Sequence, residues 1–260
     1  MILKEDSRRK HAFTLTELLV SIAAIALMAM LAIPALAHAG NRSPAASCIS
    51  TMRQLMIGWS LYKEDHNDSL MPNASIGAGT AAWCNGTESW SSSDANTNAS
   101  FLLTSLMAPY VGNDLHAYKC PADVVPSLNG QRLRSRSMNG QMGASSSVNA
   151  GWLSYTKGSD LNCPTPANAF IFCDEHPGTL NDGFLDLSLS TPSFPGIPAN
   201  YHGNACGFSF ADGHAEERHW TTSSLALPVT LGASFPTGSS ASVQNADWIW
   251  LRLHSACQHH

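Results

Sequence analysis

Charge is what this sequence has least of. Only 13% of its 260 residues are charged, about half the usual fraction for a globular domain. The 14 Lys and Arg are outnumbered by 19 Asp and Glu, leaving a net charge of −5. No basic stripe is available to neutralise phosphates, so no nucleic-acid partner is expected. The familiar catalytic signatures are missing too. There is no Gly-x-Ser-x-Gly elbow, no His-Glu-x-x-His helix and no Gly-x-x-x-x-Gly-Lys phosphate loop. Ile171-Phe172-Cys173-Asp174-Glu175 looks like the acidic end of a nucleotide-hydrolase strand, but without a phosphate loop that reading fails, and no enzymatic activity is expected. No internal repeat is found. The seven cysteines include no Cys-x-x-Cys pair, which argues against redox and zinc-ribbon motifs. Disorder is excluded as well, because seven Trp, nine Phe and 44% hydrophobic residues can bury a core.

What is present is concentrated at the amino end. Residues 4–10 hold four bases against two acids, and from Leu18 to Asn41 there is no Asp, Glu, Lys or Arg. That run exceeds the roughly 20 residues needed to cross a hydrocarbon core. Basic residues before it favour a cytoplasmic start with the rest of the chain translocated. Three readings compete. A secretory signal peptide would be cut after Ala37-His38-Ala39, releasing an exported ligand- or carbohydrate-binding module, an option that the Trp and Asn content leaves open. A plain single-pass anchor is the second. The third is a processed leader, for which Glu17 is informative. A carboxylate at a bilayer edge is costly, and residues that bear that cost are usually functional.

Lys10-His11-Ala12-Phe13-Thr14-Leu15-Thr16-Glu17-Leu18-Leu19-Val20 resembles the cleavage/methylation motif of type IV prepilins and type II secretion pseudopilins. The resemblance implies cleavage between Ala12 and Phe13 by a prepilin peptidase/methyltransferase, then methylation of the Phe13 amine. Glu17, fifth from Phe13, would pair with that amine on a neighbouring subunit and set the filament register. The family usually has Gly before the cut; Ala12 is small enough to replace it with slower cleavage. Pro34 lies where pilins also carry a helix-bending proline. The resemblance further implies an inner-membrane assembly platform, other pilin or pseudopilin subunits as partners, and an assembly ATPase supplied elsewhere. It places the protein in the bacterial inner membrane as a single-pass subunit with a periplasmic head.

Four regions are expected: a leader over 1–12, a membrane and filament-core half-helix over 13–39, an amphipathic half-helix over 40–68, and a head over 69–260. Cys48, Met52, Leu55, Met56, Trp59 and Tyr62 recur in steps of three and four, predicting a helix with one buried face that ends near Asp65. The head lacks helical periodicity and reads as short strands joined by long loops. The predicted fold is α+β and pilin-like, one long helix packed on a small antiparallel sheet. Residues 73–100 and 137–151 read as irregular surface loops, Phe101–Tyr110 as a short helix stopped by Pro109, and 169–173 as a buried strand. Asp212-Gly213 predicts a hairpin turn. His202, followed by nine residues and then Asp212-Gly213, is similar to the H-X9-DG signature of a prepilin-associated family. Further strings add to that likeness: Leu106–Val111, Tyr118–Asp123, Phe172–Glu175 and Asp247–Leu251.

Within the head, Asp174, Glu175, His176, His202, Asp212 and His214 form the best candidate metal set. Carboxylates suit Ca²⁺ and the added imidazoles suit Zn²⁺. Calcium in a carboxy-terminal loop is also what the pseudopilin resemblance implies. The alternative is that Asp212 serves the turn while His202 and Asp174 are hydrogen-bonded in a polar core. Seven Cys make at most three disulfides. Cys48 and Cys173 read as buried thiols, whereas Cys84, Cys120, Cys163 and Cys206 are expected to pair. Arg132, Arg134 and Arg136 alternate at a two-residue period and read as a solvated strand face.

Overall fold

The computed structural model describes residues 15–24, 43–73, 81–143, 149–232 and 239–259. The chain divides into two units, Met1–Ser43 and Pro44–His260. In the first, residues 15–24 form a helix, α1, whose side chains are exposed. Ala12, Phe13, Pro34 and most of the uncharged run lie outside the described residues, as does the predicted continuity of a single long helix. Among the described residues, no helix is long and apolar enough to cross a membrane.

The second unit opens with α2, Pro44–Asp65, whose buried face includes Cys48, Met52, Leu55, Met56, Trp59 and Tyr62, the predicted stripe. The helix stops where Asn67 and Asp68 take positive φ values of 53° and 66°. These two residue types tolerate the left-handed region best after glycine. The Asp68 amide turns back to the Lys63 carbonyl at 2.9 Å, closing the end.

Five strands form the main sheet: β1 Arg136–Asn139, β2 Phe170–Asp174, β3 Phe184–Leu185, β5 Ala205–Phe210 and β6 Ala215–His219, in the order β3-β1-β2-β5-β6. β4 Ser193–Phe194 and β7 Ser239–Ser240 make a separate two-stranded ribbon. The sheet is mixed rather than antiparallel, because β3 lies parallel to β1 while every other pairing is antiparallel. Its two faces are covered differently. Gly207 in β5 lies beneath α2: a Cβ there would sit 3.3 Å from Cys48 Sγ and 3.4 Å from Met52 Cε. Its neighbour Phe208 points the other way and meets Trp250 of α4, Ala246–Ser255, edge-on at 5.0 Å between ring centres. Burial on both faces explains why β2 and β5 are buried along their whole length.

Several local expectations are corrected. Phe101–Tyr110 is not one helix: α3 covers only Ser100–Leu103, and Pro109 sits inside a 3-10 turn, Ala108–Val111, rather than ending a helix. Pro is tolerated there because first-turn amides lack intrahelical partners anyway. Residues 137–151 are not a surface loop throughout, since Ser137, Met138 and Asn139 are buried in β1. In 73–100, Ala82, Trp83, Cys84 and Glu88 are also buried. The Asp212-Gly213 turn does join β5 to β6, with Gly213 at φ +97°, open to glycine and strained for other residues.

The arginine alternation is the largest correction. Arg132, Arg134 and Arg136 are all buried, none more than 1% exposed. Arg132 donates to Asp123 at 2.8 Å and stacks on Trp90. Arg134 faces Glu88 at 3.9 Å and donates to the Arg136 carbonyl. Arg136 reaches Asp174 at 3.4 Å. A buried guanidinium is tolerated only when paired and hydrogen-bonded, and acids from three other segments supply the pairing.

Candidate functional site

The densest chemistry in the head lies under the first turns of α2. Cys48 comes from that helix, Asp174 from the end of β2, Cys120 from the loop after the 3-10 turn Leu115–Tyr118, and His202 from the loop before β5. One ligating atom from each of these four residues lies within 4.8 Å of the other three. Cys48 Sγ is 3.0 Å from Asp174 Oδ2, and Cys120 Sγ is 3.2 Å from His202 Nε2.

Each position has a local cause. Ser135 fixes the Cys120 loop twice, taking the Cys120 amide on its hydroxyl at 2.8 Å and donating its own amide to Tyr118 at 3.1 Å. Gly203 and Asn204, at φ 64° and 71°, turn the chain after His202. The His202 ring then passes between Cys120 and β6, with Nδ1 4.0 Å from Glu217 Oε1. Glu217 pairs in register with Gly207, so both lie on the α2 side of the sheet. Glycine at 207 leaves the space that the cluster fills, because a Cβ there would lie 3.0 Å from Asp174 Oδ2.

Arg136 supplies the counter-charge. Its guanidinium donates to Asp174 Oδ1 at 3.4 Å, to the Cys48 carbonyl at 3.1 Å, to Cys48 Sγ at 3.5 Å and to Thr51 Oγ1 at 2.8 Å. Hydrogen bonding from Cys120, with help from His202 and Arg136, pulls the Cys48 thiol down, while burial pushes Cys120 and Asp174 up.

The predicted metal set is therefore split. Asp174 and His202 come together, but Asp212 and His214 pair with each other at the exposed hairpin turn, 2.6 Å apart. Glu175 points away and accepts from Ser137, while burial pushes its carboxyl up to about 8. His176 Nδ1 takes the Gly178 amide at 3.0 Å. Cys48, Cys120, Arg136 and Glu217 were not expected in the site. The nearest sequence signal was Cys120 within its Tyr-Lys-Cys-Pro string; Cys48 was indistinguishable from core. The cysteine pairing also differs. Cys163 bonds Cys257, while Cys84, Cys120 and Cys206 are buried free thiols, as are Cys48 and Cys173.

The amino-terminal features belong to the first unit. Glu17 lies on α1, where the Ser21 hydroxyl donates to the Glu17 carbonyl at 2.7 Å. Residues 7–33 match the family model for the prokaryotic N-terminal methylation motif. The match supports a type IV pilin-like prepilin and fits a membrane-anchored, pilin-type protein at the inner membrane. Such a motif implies processing by prepilin peptidase and assembly with other pilin subunits. No curated protein and no solved structure matches the chain.

Proposed function

We propose that this prepilin-type protein is a structural, non-catalytic subunit of a type II secretion or type IV pilus-related filament, with its head in the periplasm. The observation that carries the reading is the methylation-motif match over residues 7–33, with Glu17 fifth from Phe13. Prepilin peptidase cuts between Ala12 and Phe13 and the new Phe13 amine is methylated. That amine and the Glu17 carboxylate of a neighbouring subunit then neutralise each other in an apolar filament core, where either charge alone is costly. Loss of residues 1–12 removes four bases and two acids, so the mature chain is more acidic than its precursor.

Intact-mass analysis and amino-terminal sequencing of the native protein test the reading. The expected terminus is N-methyl-Phe13. A terminus at Gly40, after Ala39, would instead mark a secretory protein and exclude assembly through this helix.

A further inference from the structure

We propose that Cys48, Cys120, Asp174 and His202 hold a structural zinc ion that fastens the start of α2 to the sheet. The inference goes beyond the filament reading and does not depend on it.

The geometry is the first argument. Zinc bonds of about 2.0–2.3 Å in a tetrahedral arrangement put ligand atoms roughly 3.3–3.8 Å apart. Two of the separations here, 3.0 Å from Cys48 Sγ to Asp174 Oδ2 and 3.2 Å from Cys120 Sγ to His202 Nε2, fall a few tenths of an ångström short of this range. All four atoms lie within 4.8 Å of one another, so small side-chain shifts complete a tetrahedron. Two sulfurs, one imidazole nitrogen and one carboxylate oxygen form a donor set suited to zinc and poorly suited to calcium or magnesium. Four protein ligands close the coordination shell, as in structural rather than catalytic sites.

The surroundings are the second argument. A metal-bound histidine normally presents its other ring nitrogen to a carboxylate. His202 does so, with Nδ1 4.0 Å from Glu217 Oε1, a buried oxygen that has no hydrogen-bond partner among the described residues. Arg136 binds Asp174 through Oδ1 and leaves Oδ2 facing Cys48. The charges close as well: two thiolates and one carboxylate against one Zn²⁺ and the Arg136 guanidinium sum to zero. Cys48 Sγ and Asp174 Oδ2 face each other at 3.0 Å in the buried cluster, so one ion can bridge both. Zinc binding releases the thiol protons to solvent and involves no change of oxidation state.

Full-length protein, purified in detergent without a histidine tag, is analysed for metal by mass spectrometry. After chelation it is reloaded with Zn²⁺ or Co²⁺. The expected result is about one zinc per chain, with thiolate-to-cobalt and tetrahedral ligand-field bands in the Co²⁺ form. His202→Gln and Cys120→Ser should abolish stoichiometric binding. Glu217→Gln, which alters only the positioning carboxylate, should keep the stoichiometry and weaken zinc affinity about 10- to 100-fold. Wild-type stoichiometry and the cobalt spectrum decide the matter even if a variant fails to fold. Absence of zinc before and after reloading overturns the proposal. So does zinc retained in both ligand variants, or a Cys48–Cys120 disulfide found by non-reducing peptide mapping of native protein. None of these outcomes bears on the Phe13 terminus, so the two readings fail separately.

Discussion

Glu88 shows how a single buried residue makes this head sensitive to pH. Its carboxyl is pushed up to about 7 by burial, against the opposing pull of Arg134 and Arg132. The folded state therefore holds the proton more tightly than the unfolded chain, whose carboxyl titrates near 4.5. Stability from this group is full below that ordinary value and is lost as pH rises through about 7. Between pH 5 and pH 8 the loss amounts to about 3 kcal/mol at most. Glu88→Gln should flatten that part of the slope. Urea unfolding at both pH values checks it, since other buried acids such as Glu175 contribute equally to both proteins. Equal slopes in the two proteins would show that Glu88 does not hold its proton. The same residue illustrates what sequence conceals. A lone acid in a Ser- and Asn-rich stretch reads as surface, and its partner Arg134 lies on a distant segment that reads as a solvated face.

At the scale of elements, α4 depends on one carboxylate. Asp247 is fully buried in its first turn and accepts the amides of Thr221 and Thr222, at 3.0 and 2.8 Å, as well as both their hydroxyls. Asn245 caps the same helix by taking the amides of Asp247 and Trp248. The side chain therefore ties α4 to the segment leaving β6. Asp247→Ala removes the buried acceptor of two amides and two hydroxyls and should cost roughly 2–4 kcal/mol, whereas Asp247→Asn, which retains an acceptor, should cost less. Thermal unfolding of the two variants tests this order, and equal losses would refute it. Elements whose cause is local could be read from sequence: the three-and-four stripe of α2, the apolar run of β2 and the Asp212-Gly213 turn. Elements whose cause is a distant partner could not. β3 is two residues long and is defined only by lying parallel beside β1, so no period marks it. Cys48 falls on the buried stripe of α2 and gives no local sign that Cys120, Asp174 and His202 converge on it. The Cys163–Cys257 bond is likewise set by how the intervening chain folds, since its two cysteines are 94 positions apart.

For the whole molecule, the proposed function separates two tasks along the chain. In that proposal the amino-terminal segment carries processing and register, while the unit from Pro44 onward folds around its own core. Glu17→Ala should therefore leave the head's unfolding transition unchanged while sharply reducing recovery of the protein in sheared filaments. Immunoblotting of membrane and filament fractions reads the result, and normal incorporation would refute the register role. The few bases of the head reinforce the division. Three of them, Arg132, Arg134 and Arg136, are spent inside it as partners for buried acids, which leaves the outer surface still poorer in positive charge.

The Cys163–Cys257 link also sets a problem of timing. In the proposed export, with the amino end held on the cytoplasmic side and the rest delivered in sequence order, Cys48, Cys84 and Cys120 reach an oxidising compartment well before Cys257. Each waits there as a reactive thiol while the correct partner of Cys163 is still being delivered. The native pattern survives only if the early thiols are shielded faster than oxidant reaches them, or if wrong pairs are reshuffled afterwards. Secretion order thus turns burial from a question of final stability into a race, and the yield of correctly linked protein depends on how quickly the centre closes around its early cysteines.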